Sequence, residues 1–202
     1  MPETGGTGTR MIRRIMRWLR VPAAILGGLF ALVLIHQGEL WWTGNFRTVV
    51  AGELYRSAQL SSTQLRAHVE TAGIQTIVNL RGSPPGAKWH AAEQAVAEEM
   101  HVKLIDFAMS AREILPPERA KALVAVLRAS PKPILIHCLS GSDRTGLASA
   151  IYASQVAGLD EGVAEAQITI RYGHFGIPYL SRTYAMDQSW EALEVVFGIN
   201  GS

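Results

Sequence analysis

The stretch Ile134-Leu-Ile-His137-Cys138-Leu-Ser-Gly141-Ser-Asp143-Arg144-Thr145-Gly146 reads as a strand, a tight loop and the start of a helix. ILIH is a short apolar run with branched side chains, the pattern of a strand buried on both faces. Thr145–Val156 then resumes helical character. A short loop entering a helix N-terminus turns consecutive backbone N–H groups inward and adds the positive helix end, which together cradle a tetrahedral dianion. Gly141 permits a backbone turn that other residues resist. Arg144, in the first helical turn, can reach back and grip two oxygens of such an anion.

Outward from this loop, strands and helices alternate. Asn45–Val50 and Glu53–Arg56 read as short strands around Gly52, and Gln75–Leu80 and His101–Phe107 as two more. Ser61-Ser62-Thr63-Gln64 has the form of a capping box opening a helix that stops at Gly73. Arg81–Gly86, with two prolines and two glycines, is a loop. Helices are expected over Trp89–Met100, from Pro116-Pro117 to Arg128, over Glu161–Tyr172 and over Tyr179–Val196, with Ser110–Leu115 as a further loop. The alternation implies an α/β domain with a central, mostly parallel sheet flanked by helices. Ligands in such folds sit beyond the carboxyl ends of the strands, where Cys138 falls.

Charge and cysteine content exclude several classes. Residues 1–42 carry five arginines against two glutamates, net +3, whereas residues 43–202 carry 14 basic and 15 acidic side chains, net −1. The domain therefore lacks the positive field expected of a nucleic-acid binder. With one cysteine, neither an internal disulfide nor a cysteine-based zinc site is expected. His90, His101 and His174 show no zinc-like spacing and read as ordinary histidines, and Trp190 as core.

The N-terminal segment divides into a polar lead over residues 1–9, a basic stretch to residue 20 and an apolar run from Val21 to Ile35 ending near Trp41 and Trp42. Fifteen uncharged residues fall short of the roughly 20 that cross a bilayer, a deficit that interfacial His36, Gln37 and Gly38 and the tryptophan pair make up. The expected organisation is a basic cytoplasmic N-terminus (1–20), a transmembrane signal anchor (21–42) and a catalytic domain (43–202). A cleaved signal peptide and a buried or interfacial helix are the alternatives. As an anchor, its arginines stay cytoplasmic, and the domain lies outside the inner membrane, in the periplasm of a Gram-negative source. A single cysteine suits that oxidising side.

In the loop, amide dipoles and Arg144 favour the thiolate of Cys138, and a thiolate there can attack phosphorus to give a phosphocysteine intermediate. The amides and Arg144 would then stabilise the equatorial oxygens in the transition state, and Thr145 could hydrogen-bond the departing sulfur. No metal or other cofactor is needed. An Arg six places after Cys is by itself a chance event at roughly one in twenty. What carries the reading is His before Cys, Gly within the loop, Thr-Gly after Arg, and the strand and helix on either side.

His137–Thr145 resembles the H-C-x-x-G-x-x-R-[ST] loop of the protein tyrosine phosphatase superfamily. Leu54-Tyr55-Arg56-Ser57-Ala58-Gln59 and Ile77-Val78-Asn79-Leu80-Arg81-Gly82 extend the likeness to its compact dual-specificity branch, here in a bacterial membrane-anchored form. The resemblance covers about residues 45–195. It implies Cys138 as nucleophile, Arg144 as phosphate binder, Leu139, Ser140, Gly141, Ser142 and Asp143 as further phosphate-binding positions, and His137 tuning the thiolate from behind. It also implies an acid on a nearby loop, yet Ser110–Leu115 holds no Asp. Asp143 within the phosphate loop, Glu113 on the expected loop and Asp106 are the three candidates. With no lysine among Leu139, Ser140 and Ser142, the resemblance favours phosphotyrosine or mixed phosphoprotein substrates, and a small phosphate ester or a lipid or inositol phosphate is the alternative. Arg81 is read either as bordering the phosphate site or as a structural residue, and Arg56 as half of a structural ion pair. The rivals are a catalytically silent phosphate-binding module on a membrane tether and a rhodanese-type sulfur-transfer enzyme, where a C-x5-R-T pairing is not expected.

Overall fold

The computed structural model describes the backbone of residues 7–199 and the side chains of residues 21–199. Most of the expected polar lead and the side chains of the five arginines fall outside the described residues. The chain forms two compact units, Met1–Glu39 and Leu40–Ser202. The helix α1 (Thr7–Trp42), most of which lies in the first, runs without a break through the basic stretch. Its segment Val21–Trp42, 22 residues, is long and apolar enough to cross a membrane, since a rise of about 1.5 Å per residue covers roughly 33 Å. In the second unit Leu40 is buried, and its carbonyl accepts from Asn45 N at 2.8 Å.

The second unit is the expected α/β domain. Five strands, β1 (Arg47–Val50), β2 (Leu54–Ser57), β3 (Thr76–Asn79), β4 (Lys103–Asp106) and β5 (Ile134–His137), lie in the order β1-β2-β5-β3-β4. All neighbours are parallel except β1 and β2, which are antiparallel. The central strand β5 is buried along its whole length. Because side chains alternate across a strand, Ile134 and Ile136 enter one core and Leu135 the other. The first core is completed by α4 (Pro117–Ala129), α5 (Asp143–Gln155) and α7 (Ala185–Phe197). The second is completed by α2 (Ser62–Ala72) and α3 (Lys88–Glu99). Register brings Ser57, His137, Asn79 and Asp106 to one level at the carboxyl edge of the sheet.

Local signals hold where neighbours in sequence supply the partners. Ser61 and Gln64 satisfy each other's amides, and Gly73 ends α2 in the left-handed conformation. They fail where a distant group intervenes. The single helix expected over Glu161–Tyr172 is a short α6 (Glu161–Glu165) followed by a 3-10 turn over Ile170–Tyr172. Between them, the Gln167 carbonyl accepts from buried Arg56 at 2.7 Å, a bond that diverts a group helix continuation would need. The last helix begins at Ala185 rather than Tyr179, because Tyr179 follows a proline and has φ of 65°, outside the helical region.

Ser61→Ala removes the hydroxyl that accepts from Gln64 N, leaving only the bond from the residue-61 amide to Gln64 Oε1, and should destabilise the domain by about 1 kcal/mol. Thermal unfolding of the full chain in detergent should show a midpoint lower by roughly 2–4 °C.

Candidate active site

Beyond β5, the backbone of residues 138–142 turns into the N-terminus of α5. Every carbonyl on the outer side of this turn is held by a scaffold donor. Leu139 O accepts from Gln59 N at 3.1 Å, and Ser140 O from the Asn45 side-chain amide at 3.1 Å. One Arg56 nitrogen donates to both Gly141 O at 2.9 Å and Ser142 O at 3.3 Å. A trans peptide points its N–H opposite its C=O. The N–H groups of Ser140, Gly141, Ser142 and Asp143 therefore face the inside of the turn. Among the described residues, none of the N–H groups from Leu139 to Asp143 donates to a protein oxygen. An anion with several acceptor oxygens fits such a cradle.

Two glycines let this turn seat. Gly141 has φ of 73°, and a Cβ there would fall 2.6 Å from Ala58 N and the Ser57 carbonyl carbon. A Cβ on Gly146 would come 2.8 Å from Gln167 O. The side chains at the floor of the turn are deeply placed. Cys138 is 1% exposed, and Thr145 is fully buried. The expected bond from Thr145 to the sulfur is not made here, since Thr145 Oγ1 has no hydrogen-bond partner among the described residues. Arg144 donates to Leu80 O at 3.2 Å and Met109 O at 3.4 Å, and among the described residues its buried Nε has no partner. A fixed guanidinium with a spare buried donor can take one more acceptor.

Among the described residues Arg56 has no carboxylate partner, so the expected structural ion pair is not found. Its partners are four neutral oxygens, the two loop carbonyls and Gln167 O and Oε1, and its guanidinium stacks 3.8 Å from the Tyr172 ring. Burial lowers its pKa to about 10, while Tyr172 and Cys138 favour its charged form. This places a fixed positive charge directly beneath the cradle.

A second network backs the loop. His137 Nε2 lies 2.9 Å from Glu93 Oε1, both side chains almost fully buried, though out of line for a hydrogen bond. Glu93 accepts from Gln59 Nε2 at 3.0 Å, and Gln59 Oε1 accepts from Arg81 at 2.8 Å. Arg81 stacks 3.6 Å over Trp89. Burial and then Arg144 pull its pKa below the usual arginine value, with Cys138 and Glu93 opposing. Arg81 thus borders the cradle, where it and Arg144 repel each other.

The three candidate acids occupy different settings. Asp106 accepts from Asn79 Nδ2 at 2.6 Å and contacts His90 Nε2 at 2.9 Å. Glu113 is exposed on the loop before α4. Asp143 is in the first turn of α5, adjoining the cradle, and lies 2.7 Å from His174 Nδ1. Asn45, Gln59 and Glu93 were not singled out by sequence reading. A faint signal existed only for Arg56, a charged residue in the inward register of an apolar strand. His174 read as an ordinary histidine, and its carboxylate contacts set it apart.

A sequence profile described as the tyrosine phosphatase family matches residues 41–167. No curated protein matches significantly. Among solved structures, TpbA of P. aeruginosa is 20% identical, with 76% of this chain and 91% of that one covered and a TM-score of 0.57. A TpbA variant in complex with phosphotyrosine gives 20% identity, 78% and 92% coverage and the same TM-score. The catalytic core of the PP-IP phosphatase SIW14 from S. cerevisiae, in complex with citrate, is 22% identical, covers 78% and 94%, and has a TM-score of 0.54. At these identities the likeness is one of fold.

Arg56→Lys keeps a charge but loses the fork that reaches several oxygens. Each loop carbonyl left buried without a donor should cost about 1–3 kcal/mol. Denaturant unfolding should show that loss, and titration with orthovanadate should show weakened oxyanion binding.

Proposed function

The chain belongs to the tyrosine phosphatase family, and on that footing we propose that it is a cysteine-dependent phosphatase hydrolysing phosphate monoesters through a phosphocysteine intermediate. The observation that carries this reading is the cradle itself, inward N–H groups over a buried Cys138 with Arg144 Nε spare beside it. The phosphoryl group would sit with its oxygens on the amides of residues 139–143 and on Arg144, and the Cys138 thiolate would attack in line. Asp143, the candidate acid adjoining the cradle, protonates the departing oxygen. Glu113, exposed on its loop, would need that loop to close. Asp106 is already engaged by Asn79 and His90. Thr145 serves the sulfur in the second step, once the loop tightens around substrate, and His137 with Glu93 steadies the cradle from behind.

Phosphotyrosine or mixed phosphoprotein substrates fit best. The capture of phosphotyrosine by TpbA, on the same fold, supports this. A second reading, phosphate esters of inositols or lipids, draws on two observations. SIW14 is a PP-IP phosphatase, and Arg81 adds a further guanidinium at the edge of the cradle.

The apolar segment of α1 supports a signal anchor over residues 21–42, with the basic residues 1–20 cytoplasmic and the catalytic domain 43–202 outside the inner membrane.

With p-nitrophenyl phosphate and EDTA, the full chain in detergent should turn over, be blocked by vanadate, and lose at least about 10³-fold in kcat on Cys138→Ser. Turnover that survives the substitution, or that needs an added metal, would refute the mechanism.

A further inference from the structure

His174 lies outside the segment matched by the family profile, and its side chain is 2% exposed. Both of its ring nitrogens face carboxylates. Nδ1 is 2.7 Å from Asp143 Oδ1 on α5, and Nε2 is 2.9 Å from Asp187 Oδ2 on α7. Ionised carboxylates only accept hydrogen bonds, so an imidazole bonded to two of them donates from both nitrogens and carries a proton on each. Geometry alone therefore sets the ring up as an imidazolium. Asp143 and Asp187, from the two helices packed on the ring, are the titratable groups facing it. Burial disfavours the charged ring, but these carboxylates outweigh that and raise its pKa above the ordinary histidine value. Gly176 fits the arrangement, because a Cβ there would overlap the Asp187 carboxylate.

We propose, resting on the phosphatase reading above, that His174 is a positioning residue that holds, in a bond shared with Asp143, the proton that Asp143 delivers to the departing oxygen. A lone carboxylic acid with an ordinary pKa is almost wholly ionised at neutral pH and is a poor donor. The Asp143–His174 pair keeps one transferable proton until the imidazole itself would give it up. As the P–O bond breaks and the S–P bond forms, the departing oxygen takes that proton through Asp143. The pair is left as a carboxylate and a neutral imidazole whose remaining N–H faces Asp187. In the second step water attacks phosphorus, the S–P bond breaks, and the proton lost by water returns to the pair. Protons balance over the cycle, and no redox partner is involved. Asp143, 20% exposed, is the member that can meet substrate, whereas His174 acts through it.

The test compares phenyl phosphate, a poor leaving group, with p-nitrophenyl phosphate, a better one, across pH. Wild type, His174→Asn, Asp187→Asn and Cys138→Ser are measured as full chains in detergent. His174→Asn should lower kcat for phenyl phosphate about 100-fold and affect p-nitrophenyl phosphate far less. It should also move the alkaline limb of kcat down by about 2 pH units, towards the ordinary carboxylate range. Asp187→Asn keeps an acceptor for Nε2 but removes the charge, so it should shift the limb the same way by less. It decides the matter if His174→Asn does not fold. Equal losses on both substrates with an unmoved limb would show a merely structural role and overturn the proposal, as would no loss on either. Wild type inert on both substrates, or Cys138→Ser as active as wild type, would instead bring down the phosphatase reading.

Discussion

The site depends on four carbonyl groups being pulled away from it. Leu139, Ser140, Gly141 and Ser142 each give their carbonyl oxygen to a donor fixed elsewhere in the domain, namely Gln59, Asn45 and Arg56. Planar peptides then leave the N–H groups no direction but inward. Gly141 is required because the turn is pressed onto the backbone of Ser57 and Ala58. The arrangement needs a cation buried without a carboxylate partner, and burial duly pulls the Arg56 pKa down. Four oxygens and the Tyr172 ring offset part of that cost. An anion in the cradle above it, as proposed, would compensate the remainder.

Positive charge thus converges on one thiol from three arginines of different character. Arg56 is buried and structural, Arg144 is held by two carbonyls with a donor to spare, and Arg81 is a stacked guanidinium at the rim. The chain from His137 through Glu93 and Gln59 to Arg81 joins the back of the loop to this rim. A substitution at Gln59 therefore touches both Glu93 and the orientation of Arg81, while the residue's backbone N–H still holds the Leu139 carbonyl. The site is a connected object rather than a loop carried passively on a fold.

What was legible in the sequence was what neighbours along the chain determine. The buried β5 run, the Ser61–Gln64 box, the stop at Gly73 and the turn through Gly141 all follow from local pattern. So did the α/β class and the membership of the tyrosine phosphatase family. What escaped depends on distant partners. Arg56 meets residues more than 80 positions away, so nothing local distinguishes it from a surface arginine or one half of an ion pair. The same contact breaks the helix expected through Gln167. Asn45 reads as the first residue of a strand, yet its amide reaches Ser140 O and Tyr172 O. His174 showed no metal-like spacing because its partners, 31 and 13 residues away, are carboxylates. Its role emerges only when α5 and α7 pack.

The central claim, that Cys138 carries the phosphoryl group between two chemical steps, is tested most directly by rapid acid quench. The full chain in detergent would be mixed with radiolabelled phosphate ester, quenched within the first turnover, digested and mapped. The account predicts phosphate on the Cys138 peptide, formed as fast as the leaving group is released and lost as water attacks. Turnover with no covalent label, or with the label on another residue, would mean that Cys138 is not the nucleophile.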